Sequence, residues 1–232
     1  MDSGAYSQVI EKKARTGWLL SYGDVITLLI TFFIMMISKQ AGDISRINRW
    51  VNERLQESNR QIEAVISGAN MSDISTSLHS KGVQITLRGQ SIFRTGDAEP
   101  LPELEEKLAS IGASIRDLDI LDLRNTVHAP VLRELEANGL IWNVEIRIEG
   151  HTDNVPLSSS SKYKDNWELS AARAQNIMKI LQGSTGLSEK AFAVAGFGMF
   201  KPVAGNDSPE GRALNRRVEI YIDASIVKRQ QN

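Results

Sequence analysis

Residues 18–37, WLLSYGDVITLLITFFIMMI, are apolar almost without interruption. A helix rises about 1.5 Å per residue, so this run reaches roughly 30 Å, the thickness of a bilayer's hydrocarbon core. Its polar positions are not scattered. At about 100° per residue, Ser21, Thr27, Thr31 and Ser38 all fall within about 60° of Asp24, and Gly17 lies there too. The opposite face is apolar throughout. The SKQAGD that follows, residues 38–43, lacks the small-x-small pattern of a cleavage site, so the span reads as an uncleaved anchor.

Beyond the span, Ile44, Ile47, Val51 and Leu55 recur at helical spacing, and Ile62, Val65 and Ile66 extend the pattern. Arg46, Arg49, Glu53, Arg54 and Glu57 fill the other faces. This predicts an amphipathic helix, broken at SGANMSD, residues 67–73. Two roles fit it: a spacer with a dimer seam, or a movable element that plugs a pore or contacts the membrane surface.

From about Leu78 the periodicity changes. GVQITLRG (82–89), WNVEIRIEG (142–150), KAFAVAGFG (190–198) and NRRVEIYID (215–223) alternate as strands do. PELEEKLASIGASI (102–115) places Leu104, Leu108, Ile111 and Ile115 on one helical face, with Pro102 in its first turn. NWELSAARAQNIMKILQG predicts a helix capped by Asp165 or Asn166 and stopped at Gly183. Residues 131–137 predict a further helix. The expected fold is therefore α/β: one transmembrane helix at 18–38, an amphipathic linker or plug region at 39–77, and a two-layer α/β domain of about four strands at 78–225. Residues 1–17 form the tail before the span.

Composition narrows the function. The 27 basic and 28 acidic residues leave a net charge of −1, so nothing points to nucleic acid. With no cysteine there is no disulfide scaffold, thiolate metal site or cysteine nucleophile. Lys12, Lys13 and Arg15 before the span are closer packed than Lys39, Arg46 and Arg49 after it, which favours a cytoplasmic N-terminus.

Asp24 is the first chemical candidate. A carboxylate at membrane depth costs several kcal/mol unless it is neutralised or faces water or protein, and desolvation raises its pKa. Such a group binds and releases a proton as its access to water changes. Beside Ser21, Thr27 and Thr31 it suits a helix lining an ion path, and one helix cannot make that path alone. The plainer alternative is a carboxylate that hydrogen-bonds two helices together.

Other polar residues say less. His151 and Asp153 have ligand-like spacing, but the sequence supplies no evident third ligand, and no metal is expected. Of Arg216 and Arg217, on opposite faces of a strand, one is expected near Asp153 and the other in solvent. Residues 158–164, SSSSKYK, read as a polar loop, and their serines have no evident base. No complete catalytic set is present, so the chain does not read as an enzyme, and no cofactor is implied.

Two stretches carry a resemblance. IEGHTDNVP, NWELSAARA and GFGMFKPVAGNDSPEGRALNRRVEI, in that order, resemble the peptidoglycan-binding domain of the OmpA-like family over roughly residues 82–222. The pattern W-x-x-S-Y-x-D-x-x-T-L-L-x-x-F-F, Trp18–Phe33, resembles the transmembrane helix of MotB-type stator subunits. Residues 117–140, DLDILDLRNTVHAPVLRELEANGL, exceed the short connection usual in that fold.

The resemblance implies a single-pass subunit of the bacterial inner membrane with its C-terminal domain in the periplasm. It implies a homodimer within five copies of a multi-span MotA-type partner, carrying protons, with sodium the alternative ion. The domain would bind diaminopimelate, which shows an ammonium and a carboxylate together. Asp153, just past a strand end, and Arg173, early in the next helix, share one edge of an α/β sheet, where ligands bind. The resemblance adds Thr152, Leu169 and Asn215 beside them. An ion pair between Asp153 and Arg173 alone is the structural alternative. At the level of role, two others stand open: a non-flagellar motor such as a Zorya-type phage-defence complex, and a plain membrane-to-wall tether.

Overall fold

The structure, a computed structural model, describes residues 3–79, 82–89 and 92–229. The side chains of residues 3–17, 20 and 39–48 lie outside the described set, and with them the expectations for Gly17, Ile44, Ile47, Lys12, Lys13, Arg15, Lys39 and Arg46. The chain divides into two compact units, Met1–Trp50 and Val51–Asn232.

The first unit is helical. Helix α1 runs Ser3–Gly68 and ends where SGANMSD predicts a break. Within it, Ser21–Ser38 is long and apolar enough to cross a membrane. Leu28, Phe32, Phe33, Met35 and Ile37 are all exposed. A helix surface this apolar suits lipid or partner-helix surroundings better than water.

The second unit is a five-stranded sheet with helices on one face. In chain order, β1 (Ile74–His79), β2 (Gly82–Arg88), α2 (Pro102–Arg116), α3 (Ala129–Ala137), β3 (Leu140–His151), α4 (Asn166–Thr185), β4 (Phe192–Gly196), α5 (Pro209–Asn215) and β5 (Arg217–Lys228) follow α1. The strand order is β1-β2-β5-β3-β4, with β3 and β4 parallel and the other pairs antiparallel. Four strands were expected. The fifth, β1, reads ISTSLH, too polar for alternation to reveal it.

Register explains why the domain has one oily and one charged face. Val83, Ile222 and Ile146 lie side by side, as do Ile85, Ile220 and Ile148. All six are buried under the helices. One residue away, the other face carries Gln84–Tyr221–Arg147 and Thr86–Glu219–Glu149. The period of two sends each row to one side only.

The second half of the amphipathic segment packs into the domain: Leu55, Ile62 and Ile66 are buried in the core of the second unit, and Asn59 accepts a hydrogen bond from Thr76 of β1 at 2.8 Å. The compact unit therefore begins well before Leu78. The extra stretch 117–140 also joins it. Leu118 and Ile120 enter the core, and Trp142 Nε1 donates to the Ile120 carbonyl at 2.8 Å.

Helix α4 fixes the functional edge. Its N-cap is Asp165, whose carboxylate accepts from Glu168 N at 2.9 Å. It runs through Gly183 and ends at Thr185, with Gly186 in the left-handed region at φ 69°. A glycine adopts that conformation without strain, which moves the stop three residues beyond the expected one. Gly150 and Gly196 let the helix lie close on β3 and β4, because a Cβ on either would run into the backbone of Ser170 or Ala171.

A cleft at the carboxyl edge of the sheet

Strand β3 ends at His151, and Thr152 and Asp153 continue from it onto the edge where α4 begins. A cleft of about 780 Å³ opens there. Thr152, Asp153, Leu169 and Arg173 all line it, as the sequence led us to expect. Thr152 N donates to the Gly198 carbonyl at 2.9 Å, tying this strand end to the turn after β4. Asn166 Nδ2 donates to the Val155 carbonyl at 2.9 Å and so holds the turn beyond Asp153 against the helix start.

Asp153 accepts from Val155 N at 3.1 Å and from Arg216 Nη1 at 2.6 Å. Its ion-pair partner is thus Arg216, which settles which of the two neighbouring arginines reaches this loop. Among the described residues no direct Asp153–Arg173 ion pair forms.

Arg173 is buried, and the loop 92–98 holds it. Its Nε donates to the Asp97 carbonyl at 2.9 Å, its Nη2 to the Arg94 carbonyl at 3.4 Å, and the Phe93 ring lies 4.8 Å from the guanidinium. Burial brings the Arg173 guanidinium down to about 10, against the opposing attraction of Asp153. It is charged at neutral pH, oriented, and set beside a carboxylate it does not touch. That arrangement can take the carboxylate and the ammonium of one zwitterionic ligand.

Three expectations need correction. Asn215 is not among the residues that line the cleft. It is fully buried, and its amide is occupied with Val203 N, Ala204 N, the Ala204 carbonyl and Asn206 Oδ1, at 2.8–3.0 Å. It shapes the loop between β4 and α5. Arg217 is not solvated either. It is 5% exposed and donates to Glu219 Oε1 at 2.7 Å. The loop 158–164 is more than a polar connector, since Ser158, Ser160, Ser161 and Lys162 wall the cleft. Sequence reading missed the opposite wall, Phe93 to Asp97. Its one local signal is FRTGD between a strand and a helix, with Gly96 at φ 72°.

His151 turns away from Asp153, onto the charged face of the sheet. It stacks on Phe197 at 5.4 Å, with Nε2 3.5 Å from Glu219 and 3.9 Å from Glu149. These three offer ligand atoms within 4.8 Å of one another. Guanidinium groups already compensate both carboxylates, Arg147 on Glu149 and Arg217 on Glu219. Although burial pushes Glu219 up, His151, Arg217 and Tyr221 outweigh it and hold the carboxyl at about 2. Burial and Glu219 in turn push the Tyr221 phenol up to about 12.

In the membrane span, Thr27 Oγ1 donates to the Asp24 carbonyl at 2.8 Å, and Thr31 Oγ1 to the Thr27 and Leu28 carbonyls at 2.9 Å. Both hydroxyl protons are engaged along the helix, so the oxygens present lone pairs outward. The stripe around Asp24 offers acceptors, which suits a cation.

Comparison with known proteins agrees with both parts. Residues 129–216 match the OmpA family, and residues 7–52 match the family described as membrane MotB of the proton-channel complex MotA/MotB. The motility protein B of Bacillus subtilis is 30% identical, over 88% of this chain and 89% of that protein. The motility protein B of Helicobacter pylori strain J99 is 25% identical, over 91% and 87%. Among solved structures, a MotB-like protein from Desulfovibrio vulgaris has the same fold, with a TM-score of 0.59 at 23% identity over 77% of this chain and 99% of that one. The cell wall anchor of the type VI secretion system of Pseudomonas aeruginosa aligns with a TM-score of 0.53 at 28% identity, over 70% and 97%.

Proposed function

The chain belongs to the motility protein B family, and from that premise we propose that it is the B subunit of an ion-driven rotary stator, anchored to peptidoglycan in the periplasm. One observation carries the reading. A single polypeptide joins a membrane-length helix holding a lone acid to a domain whose cleft sets an acid and a guanidinium side by side. Torque requires a fixed reference, and this chain supplies both the ion carrier and the anchor.

In this mechanism two copies place their Asp24 helices within five copies of a multi-span MotA-type partner in the inner membrane. A proton from the periplasmic side neutralises Asp24, and its exit on the cytoplasmic side restores the charge. Each change alters which partner surface the carboxyl group prefers, because a charged carboxylate seeks polar contacts and a neutral one tolerates lipid-like surroundings. Ser21, Thr27 and Thr31 line the path. Sodium is the alternative ion, and replacing it in the medium distinguishes the two. Outside the membrane, Arg173 takes the carboxylate of diaminopimelate and Asp153 its ammonium, with Thr152 and Leu169 closing the cleft around them.

The test separates the two functions. Asp24→Asn is expected to abolish motor activity while insertion and cell-wall sedimentation of the full chain persist. Arg173→Ala is expected to lose sedimentation with purified peptidoglycan. Full motility of the first variant would refute the ion-carrier role, and unchanged sedimentation of the second would refute the anchor.

A further inference from the structure

A zwitterion has no net charge, and one acid with one guanidinium satisfies it. The cleft holds more cations than that. With Arg216 paired to Asp153, and Arg217 to Glu219, there remain Arg94, Lys162, Arg173 and Arg212 against the single acid Asp97. The whole chain has a net charge of −1, so this excess is local. A cleft lined by one sign of charge concentrates ligands of the other.

Geometry narrows where the excess acts. The Arg94 carbonyl accepts from Arg173 and the Ala98 carbonyl accepts from Asn176 at 2.9 Å, so the loop that carries Arg94 is pinned directly against the Arg173 site. Lys162 comes from the facing wall. Both side chains are exposed, and among the described residues neither is in ion-pair contact with a carboxylate. Their charges nonetheless converge. Asp97, fixed by the N–H groups of Ala98 and Glu99 at 2.8 and 3.3 Å, feels both cations. Burial pushes the Asp97 carboxyl up, but those two N–H groups, Lys162 and Arg94 together outweigh it and hold it below the usual range. Two exposed cations around one fixed acid leave one positive charge for a ligand beside Arg173.

A peptidoglycan stem peptide carries such a charge. Its glutamyl residue is joined through the γ-carboxyl, next to diaminopimelate, so the α-carboxylate is free unless it is amidated. Building on the stem-peptide reading of the cleft, we propose that Arg94 and Lys162 bind this second carboxylate, and that the domain selects stem peptides in which it is free over those in which it is an amide.

The experiment measures binding of two synthetic tripeptides to the full chain in detergent by calorimetry. One is L-Ala-γ-D-Glu-meso-diaminopimelate, and the other is its D-isoglutamine counterpart. The native chain is expected to bind the amidated peptide roughly tenfold more weakly, the scale of one charge-assisted contact. The Arg94→Gln, Lys162→Gln double variant is expected to bind both peptides equally, at the level of the native chain with the amide. Equal binding of the two peptides by the native chain would overturn the proposal, as would a preference that survives in the double variant. Those results leave the stem-peptide reading intact if Arg173→Ala still loses both peptides. Failure of the native chain to bind either peptide would instead overturn that reading itself.

Discussion

Asp24 and Glu219 are carboxyl groups in opposite settings, one on the exposed surface of an apolar helix and the other inside a folded domain. Glu219 is 6% exposed, and its own chain surrounds it with Arg217, Tyr221 and His151. Its charge is therefore stabilised permanently, and its carboxyl sits at about 2. Asp24 has no side-chain partner among the described residues. Its neighbours Thr27 and Thr31 direct their hydroxyl protons to the backbone. A carboxylate fully satisfied by its own fold cannot cycle its charge in physiological pH. The ion-carrier role proposed for Asp24 would need another polypeptide to supply its surroundings. The carboxylates of the sheet face are paired within their own domain, whereas Asp24 has no side-chain partner among the described residues.

Removing a cation from the sheet face sharpens this contrast most. Arg217→Ala leaves Glu219 buried without its guanidinium and is expected to destabilise the second unit by about 3–5 kcal/mol, read as a lower urea midpoint. Asp24→Asn in the same assay is expected to leave that transition in place. A large shift from Asp24→Asn would break the comparison.

A smaller effect follows from acid. Glu219 holds its proton less tightly when folded, at about 2, than at the ordinary value of 4.5. Folding then binds fewer protons than unfolding, so the stabilisation is fully present above pH about 4.5 and is lost as pH falls toward 2. Its size is about 2 kcal/mol after allowance for solvent screening. Glu219→Gln is expected to flatten the stability profile between those limits, measured by urea unfolding at each pH. An unaltered acid limb would show that the carboxylate is not held as described.

The smallest effect concerns the helix that carries Arg173. Asp165→Ala removes the N-cap bond to Glu168 N and is expected to cost about 1 kcal/mol, with a modest loss of peptidoglycan sedimentation as the helix start loosens against Val155. Sedimentation falling as far as in Arg173→Ala would mean that Asp165 itself touches the ligand.

Much of this was legible along the chain. Strand and helix periods located β2, α2, β3, α4, β4 and β5 to within a few residues, because one buried face imposes a regular spacing on its apolar side chains. The polar stripe was legible too, since local helical geometry alone places Ser21, Thr27 and Thr31 beside Asp24. Asp153 and Arg173 could be assigned to one edge because a strand end and the start of the following helix share it, and the family resemblance added Thr152 and Leu169 beside them.

What sequence left open depended on contacts between distant segments. Val51 onward looked like a free amphipathic helix, since periodicity gives a face but not the surface that covers it. Only tertiary structure assigned Leu55, Ile62 and Ile66 to the core. The resemblance placed Asn215 beside the site, but the loop folds back on its amide, and of Arg216 and Arg217 only register decided which joins Asp153 and which lies on the face of Glu219. The wall from Phe93 to Asp97 meets Arg173 across more than seventy residues of chain. Local pattern thus determined the elements and the lone acid in the membrane span. The fold decided which charges are neutralised at home and which face outward, because electrostatic partners are chosen by distance in space.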